Sequence, residues 1–407
     1  MIQSRFPGLA SRRTCTGCMT CIDACGFGAL TSEIRRDGHL YPQVEYSRCT
    51  GCGACRKVCP VLQKQNERTD GHSHPYAAWS NDRTLRMQSA SGGIFAALAT
   101  QILSEGGCVA GAVMDGLTVN YRFIERLDEL PQLQGSKYQQ GDLSGIYRET
   151  RKRLQAGRKV LFSGMGCQIA GLLSFLKSRK YSGELYTVDL ICGGFPSVLP
   201  LQAFVAHADK PVLTIKTFRD KTFGWKSIGY AYSLKTINTD GSESDYGSKN
   251  LIIGAFNSHL TCRSSCLNCK FVGVERPSDL TIGDFWGDKE YPEEHFKGLS
   301  VVVSHSATGE KLLFRSKITI HPVRWDKFVF HNPRMVVGKF HYLRFHPARF
   351  LLRIFPYLPY RLQCNLYHGT PPVGLWKAYR ALGVLMVKWS HAFNMKICRM
   401  LVNQLDK

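Results

Sequence analysis

Acidic residues are scarce in this chain, and long apolar runs are missing. Asp and Glu number 31 against 53 Lys and Arg in 407 residues, a formal net charge of +22. No stretch approaches the roughly 18 apolar residues needed to span a bilayer, so no transmembrane helix is expected. Met1 to Arg13 is basic but lacks the apolar core of a secretory signal, which predicts a cytoplasmic protein. Absent too is any aromatic-and-basic motif of the RNA- or DNA-binding modules, so nucleic acid is not an expected partner. Low-complexity tracts do not occur either. Hydrophobic residues at 44% suffice for a real core. The basic surplus leaves an anionic lipid surface or an acidic redox protein as expected partners.

Cysteine is what the chain has in quantity. Eight of its 16 cysteines form two copies of one pattern, Cys15-x2-Cys18-x2-Cys21-x3-Cys25 and Cys49-x2-Cys52-x2-Cys55-x3-Cys59-Pro60. Both match the bacterial ferredoxin spacing for cubane 4Fe-4S clusters, in which the fourth cysteine of one run ligates the other cluster. Two-residue gaps let three thiolates cap three irons of one cube, while the longer gap carries the fourth away on a short helix. Cys15, Cys18, Cys21 and Cys59 are therefore assigned to one cluster, and Cys49, Cys52, Cys55 and Cys25 to the other. Zinc sites also use Cys-x2-Cys pairs, but zinc gives no role to the third and fourth cysteine of each run. Disulfides are the other alternative, opposed by clustered thiols in a chain without an export signal. Gly26 stands where proline usually follows the fourth cysteine; glycine permits the turn there without enforcing it. Two oxidised clusters, each about −2 with its thiolates, remove about four charges and leave the protein basic.

The length suggests two or three structural units. Residues 1–62 read as the double-cluster module and 63–75 as a polar linker. From Tyr76 onward strands and helices alternate. Short strands are expected at Tyr76–Trp79, Cys108–Met114, Val119–Phe123, Lys159–Ser163, Leu185–Ile191 and Leu299–Ser304. Helices are expected at Ile94–Leu103, with serines of Ser89–Gly93 as N-cap, and at Gln168–Leu176. The turn Gly164–Cys167 then falls at a strand-to-helix junction. Residues 213–246 look β-type. The expected fold is α+β, or mixed α/β: a small ferredoxin-like module, then a larger mixed sheet with helices. Residues 306–407 form a basic, aromatic-rich region; from His341 to Lys407 ten Lys and Arg face one Asp. Segments such as Trp376–Trp389 suit a lipid headgroup layer at the inner face of a membrane, or helices packed on the domain with basic outer faces.

Residues 76–305 resemble the beta subunit family of coenzyme F420 hydrogenases and dehydrogenases. The resemblance rests on Ser89-Ala-Ser-Gly-Gly93, Gly135-Ser-Lys-Tyr138, Phe162-Ser-Gly-Met-Gly-Cys167-Gln-Ile-Ala-Gly171, Asp189-Leu-Ile-Cys192-Gly-Gly-Phe-Pro-Ser197, Cys266-Leu-Asn-Cys269-Lys-Phe271 and Asp279–Gly287. It implies an iron–sulfur flavoprotein that passes electrons between clusters, FAD and a two-electron organic acceptor, with a ferredoxin-like carrier as partner. FAD fits that division of labour, because it converts between one- and two-electron chemistry. Within the resemblance, Ser91, Gly92 and Gly93 would offer backbone N–H groups to the FAD pyrophosphate. Ser136, Lys137 and Tyr138 would meet phosphate or ring, and Asp284 and Trp286 would line the same pocket. As bare residues these are equally a helix cap, a surface turn and a buried tryptophan. The resemblance further implies a third 4Fe-4S cluster on Cys167, Cys192, Cys266 and Cys269, with Cys262 as neighbour or substitute ligand. Cys108, Cys364 and Cys398 read as buried thiols.

Two departures stand out. Met165-Gly166 replaces the family's Thr-Pro, and Gly193 replaces its His, which removes an imidazole and argues against native use of F420. Family members near surface-polysaccharide genes hint at context. No side chain is assigned as catalytic acid or base. The leading expectation is an enzyme. The alternatives are an electron-transfer subunit without its own substrate site, and a flavin-free iron–sulfur protein.

Overall fold

The computed structural model describes residues 8–63, 73–177, 179–225, 233–247, 250–258 and 261–336, with Pro359, Tyr360 and Leu362. Most of the expected linker, Trp376–Trp389, and Cys364 and Cys398 lie outside these residues. Among the described residues no helix is long and apolar enough to cross a membrane.

The module contains α1 (Thr20–Ala24), β1 (Leu30–Ile34), β2 (Leu40–Val44) and α2 (Ala54–Lys57). β1 and β2 pair as an antiparallel hairpin. Its turn needs Gly38, whose φ of +73° disfavours a side chain, and a Cβ there would collide with Ser197 and Leu199. Val198 donates its N–H to the Gly38 carbonyl at 3.0 Å, so the hairpin tip is seated on the following domain.

Chain order then gives β3 (His74–Ser80), α3 (Arg83–Gln88), α4 (Ile94–Ser104), β4 (Cys108–Asp115), β5 (Thr118–Ile124), α5 (Ile146–Gln155), β6 (Val160–Met165), α6 (Gly166–Leu176) and β7 (Leu185–Leu190). After these come α7 (Leu199–Ala206), β8 (Val212–Asp220), β9 (Ser233–Asn238), β10 (Glu243–Asp245), α8 (Leu251–Ser258) and β11 (Leu280–Asp284). The described chain closes with β12 (Ser300–Ser304), α9 (Ala307–Arg315), β13 (Ile318–Pro322), α10 (Trp325–His331) and α11 (Pro333–Val336). One eight-stranded sheet runs β13-β3-β12-β11-β7-β6-β4-β5, and β10-β9-β8 form a small second sheet. The four strands β11, β7, β6 and β4 are mutually parallel, and the flanking pairs are antiparallel. The fold is therefore mixed α/β behind a small cluster module. The sheet also takes a strand from beyond residue 305, because β13 pairs with β3.

Residue alternation explains why helices cover both faces. On β6, Leu161 points into one core with α4 and α9, while Val160 and Phe162 enter a second core with α5 and α6. Such side chains contribute about 1.5–3 kcal/mol each on leaving water. Met19 of the module joins the second core, so module and sheet share buried surface.

The serines expected to cap α4 do not. Its N-cap is Gly93, left-handed at φ 81°, with no side-chain cap. Glycine serves because this corner combines positive φ with close packing against Arg86 and Ser80.

Candidate functional site

The two cysteine runs fold alike. In Cys15-Thr-Gly-Cys-Met-Thr-Cys21, Gly17 and Met19 are left-handed, and in Cys49-Thr-Gly-Cys-Gly-Ala-Cys55 so are Gly51 and Gly53. Alternate left-handed residues curl each loop around a centre toward which its thiols gather. Met19 is the only non-glycine with positive φ among the described residues, a conformation that costs about 1–2 kcal/mol.

The fourth cysteines cross over. Cys25 lines one cavity of ≈430 Å³ together with Cys49, Cys52 and Cys55. Burial pushes the Cys55 thiol up, and Cys52 and Cys25 beside it add to the effect. Burial likewise raises Cys18, Cys21 and Cys59, with Cys15 a neighbour of all three. Cys52 is exposed and its thiol is lowered by the Ala54 backbone N–H. The water-facing set is thus the one containing Cys52, and the set containing Cys18 faces inward.

A second group of thiols gathers at the carboxyl ends of the parallel strands, where open sheets of this kind take ligands. Cys167 sits in the first turn of α6 directly after β6, and Cys192 follows β7. Cys266 and Cys269 come from a 3-10 turn, Ser264–Asn268, and its C-cap. All four line one cavity with Thr16, Phe195, Phe271 and Arg276. Burial drives Cys167 well above the usual thiol range, and Cys269, Cys192 and Cys266 push it further. Cys266 is raised by burial first and by Cys262 next, so Cys262 is a fifth, buried thiol beside Cys266. Among the described residues no three His, Cys, Asp or Glu side chains converge tightly enough for a single metal ion.

Arg276 pairs with Asp189 at 2.7 Å, both buried, at the edge of this cavity. A Cβ on Gly166 would lie 2.9 Å from the Asp189 carboxylate and 3.0 Å from the Arg276 guanidinium. The ion pair occupies the space a proline ring would need, which accounts for glycine at 166.

The two thiol groups stand back to back. A Cβ on Gly171 of α6 would meet Thr20 Oγ1 and, at 3.3 Å, Cys18 Sγ. Tyr147 donates its hydroxyl to the Cys18 carbonyl at 2.9 Å and to the Gln168 carbonyl at 3.1 Å, joining the module to the turn that holds Cys167.

The residues expected at a flavin share that carboxyl edge, but with protein partners. Gly92 donates its N–H to Ser300 Oγ at 2.9 Å, and Ser91 Oγ donates to the Leu299 carbonyl. The expectation of a bare N–H at Gly92 is corrected: α4 approaches β12 too closely, and a Cβ at Gly92 would be 2.7 Å from Ser300 N. Gly93 is the left-handed N-cap described above. Ser136 is half-buried. Lys137 donates to the Gln132 and Gln134 carbonyls at 3.1 and 2.8 Å, and burial pulls its ammonium down to about 7. Tyr138 stacks on Phe256 at 4.0 Å, and Trp286 on Trp225 at 5.6 Å. Asp284 accepts from Arg219 at 2.7 and 3.0 Å. Nearby, Lys221 donates to the carbonyls of Arg86, Ser91 and Lys297 at 2.7 to 2.8 Å. Sequence reasoning missed Arg219, Lys221 and Arg276; no motif marks them. Cys108 is a fully buried thiol raised by burial to about 11.

Residues 157–321 match the family model for the carboxyl-terminal part of the coenzyme F420 hydrogenase/dehydrogenase beta subunit. Residues 14–62 match a 4Fe-4S dicluster domain, and a second such model covers 45–104. The ferredoxin-type protein NapF of Haemophilus influenzae is 41% identical over 56 residues, 12% of this chain and 32% of that protein. The chain thus spans about a third of the length of that curated relative. A structure of the F420-reducing NiFe hydrogenase complex from Methanosarcina barkeri is similar at 16% identity and a TM-score of 0.43, covering 64% of this chain and 86% of that one. The chain is an iron–sulfur electron-transfer protein with a 4Fe-4S dicluster domain at residues 14–62, related over residues 157–321 to the coenzyme F420 hydrogenase/dehydrogenase beta subunit.

Proposed function

We propose that the chain is an iron–sulfur, FAD-dependent oxidoreductase that takes electrons from a ferredoxin-like carrier and delivers them in pairs to an organic acceptor. Cys25, Cys49, Cys52 and Cys55 hold the outer 4Fe-4S cluster, and Cys15, Cys18, Cys21 and Cys59 the inner one. Cys167, Cys192, Cys266 and Cys269 hold a third. When bound, the clusters carry single electrons and FAD converts them to two-electron chemistry. The observation that carries this reading is the closeness of Cys18 to the helix that presents Cys167, where a Cβ on Gly171 would lie 3.3 Å from Cys18 Sγ. It leaves little protein between inner and third sites, as a relay requires.

The chain's own groups have plain roles here. Exposed Cys52 brings the outer site to the surface for a partner. Arg219, Lys221 and Lys137 lie along the carboxyl edge, each held by protein acceptors, and Ser91, Gly93, Ser136 and Asp284 would border a phosphate-bearing cofactor there. Gly92 does not fit the role expected of it, since its N–H already has an acceptor. The acceptor is a small organic molecule, with surface-polysaccharide synthesis as its expected context, and the basic C-terminal region, which lies almost wholly outside the described residues, is a candidate for peripheral contact with an anionic membrane. The protein works in the cytoplasm.

The second reading, an electron-transfer subunit without its own substrate site, is favoured by Tyr138 and Trp286 already being stacked on protein rings. Anaerobic purification with iron, sulfide and flavin quantified, then flavin reoxidation against candidate acceptors, separates the two. Turnover by the chain alone supports the first; dependence on a co-purified partner supports the second. Cys266→Ala should lose only the third site's iron, and unchanged iron would remove that cluster.

A further inference from the structure

Arg263 is fully buried, with 0% exposure, yet its acceptors are almost all neutral. Its Nε donates to the Cys15 carbonyl at 2.7 Å. One terminal nitrogen donates to the Leu40 carbonyl at 2.6 Å and to Gln140 Oε1 at 3.0 Å. The other reaches Cys15 Sγ at 3.6 Å. The guanidinium lies 3.9 Å over the Tyr41 ring, which shields it from water. A buried, permanently charged guanidinium costs several kcal/mol unless an opposite charge answers it. Of these acceptors, only the Cys15 sulfur can carry that charge.

We propose that Arg263 is the counter-charge of the inner cluster and sets its reduction potential. The inference rests on the reading that Cys15, Cys18, Cys21 and Cys59 hold a 4Fe-4S cluster. Reduction adds one negative charge to a cluster, and a positive group hydrogen-bonded to a ligand sulfur favours that reduced state. Arg263 touches Cys15 and follows Cys262, and its carbonyl accepts from Cys266 N–H at 2.9 Å. Arg263 therefore links the inner and third sites, its side chain on Cys15 and its backbone on Cys266. It raises the inner potential, which favours the passage of electrons inward.

The test is anaerobic potentiometric titration followed by electron paramagnetic resonance, with iron counted in every sample. Cys15→Ser first identifies the inner signal as the one it abolishes. R263Q is then expected to lower that signal's reduction equilibrium constant about tenfold, about 59 mV for one electron, with the outer signal unmoved and iron retained. R263K, which keeps the charge but not the fork, is expected to shift it less. Should R263Q shed iron, R263K and Gln140→Leu, which releases one anchor of the guanidinium, carry the test by their own inner shifts. An unmoved inner midpoint at full iron in these variants overturns the inference and leaves the ligand reading intact. Failure of Cys15→Ser to abolish any signal overturns the ligand reading, and the inference with it.

Discussion

The carboxylate of Asp23, in the cluster module, caps the helix that opens at Ile146 in the sheet domain. It accepts from Gly145 N–H at 2.6 Å, Tyr147 N–H at 2.9 Å and Arg148 N–H at 3.2 Å. Arg148 returns the contact by donating to the carbonyls of Asp23, at 2.6 Å, and of Ile22 and Cys25. A helix N-terminus needs such an acceptor, and here a side chain more than a hundred residues away supplies it. Asp23→Ala should cost about 1–2 kcal/mol, the usual loss for a capping carboxylate. Urea unfolding under anaerobic conditions measures it, and limited proteolysis should release the module sooner.

Gly171 tests the contact between module and sheet. Alanine there drives a methyl into Thr20 Oγ1 and Cys18 Sγ, so either α6 or the inner loop must move. Overpacking of this kind costs about 1–3 kcal/mol. The variant should keep its outer cluster signal while the inner one broadens or disappears in paramagnetic resonance.

Met19 sets two effects against each other. Met19→Gly relieves about 1–2 kcal/mol of left-handed strain but removes a side chain only 1% exposed, worth about 2–5 kcal/mol in a core. Net destabilisation of about 1–3 kcal/mol is expected by urea titration. At the matching position, Gly53, a Cβ meets nothing within 4 Å, so Gly53→Ala should cost only the strain.

Lys137 predicts a pH dependence. Burial lowers its folded pKa to about 7, while in the unfolded chain it stays near about 10.4. Between those values the unfolded state binds more protons, so stability rises with pH from about 7 toward about 10. The penalty for burying the ammonium is complete below about 7. Lys137→Met should flatten this slope in urea midpoints measured from about pH 6.5 to about pH 10.

Much of this is legible in the sequence because the signals are local. Cysteine spacing, the β6 strand and the Gly164–Cys167 junction each depend on neighbours a few residues apart. The cap of α4 misleads because Ser89 and Ser91 are good capping types, whereas a left-handed turn packed against Arg86 selects glycine. Gly92 misleads because close approach of β12 is a tertiary fact. Arg263 and Asp23 are not legible at all: their partners are distant in sequence, and only the fold brings an arginine beside Cys15. A basic residue directly after Cys262, in a stretch that turns out buried, is the one faint sign.

The unequal partners at Met19 and Gly53 have a practical consequence. One half of the duplicated loop is plugged into a core, while the other is left bare to water. Oxygen or a chelator should therefore strip the outer cube first, and a half-bleached sample would still hold the charge store closest to the sheet.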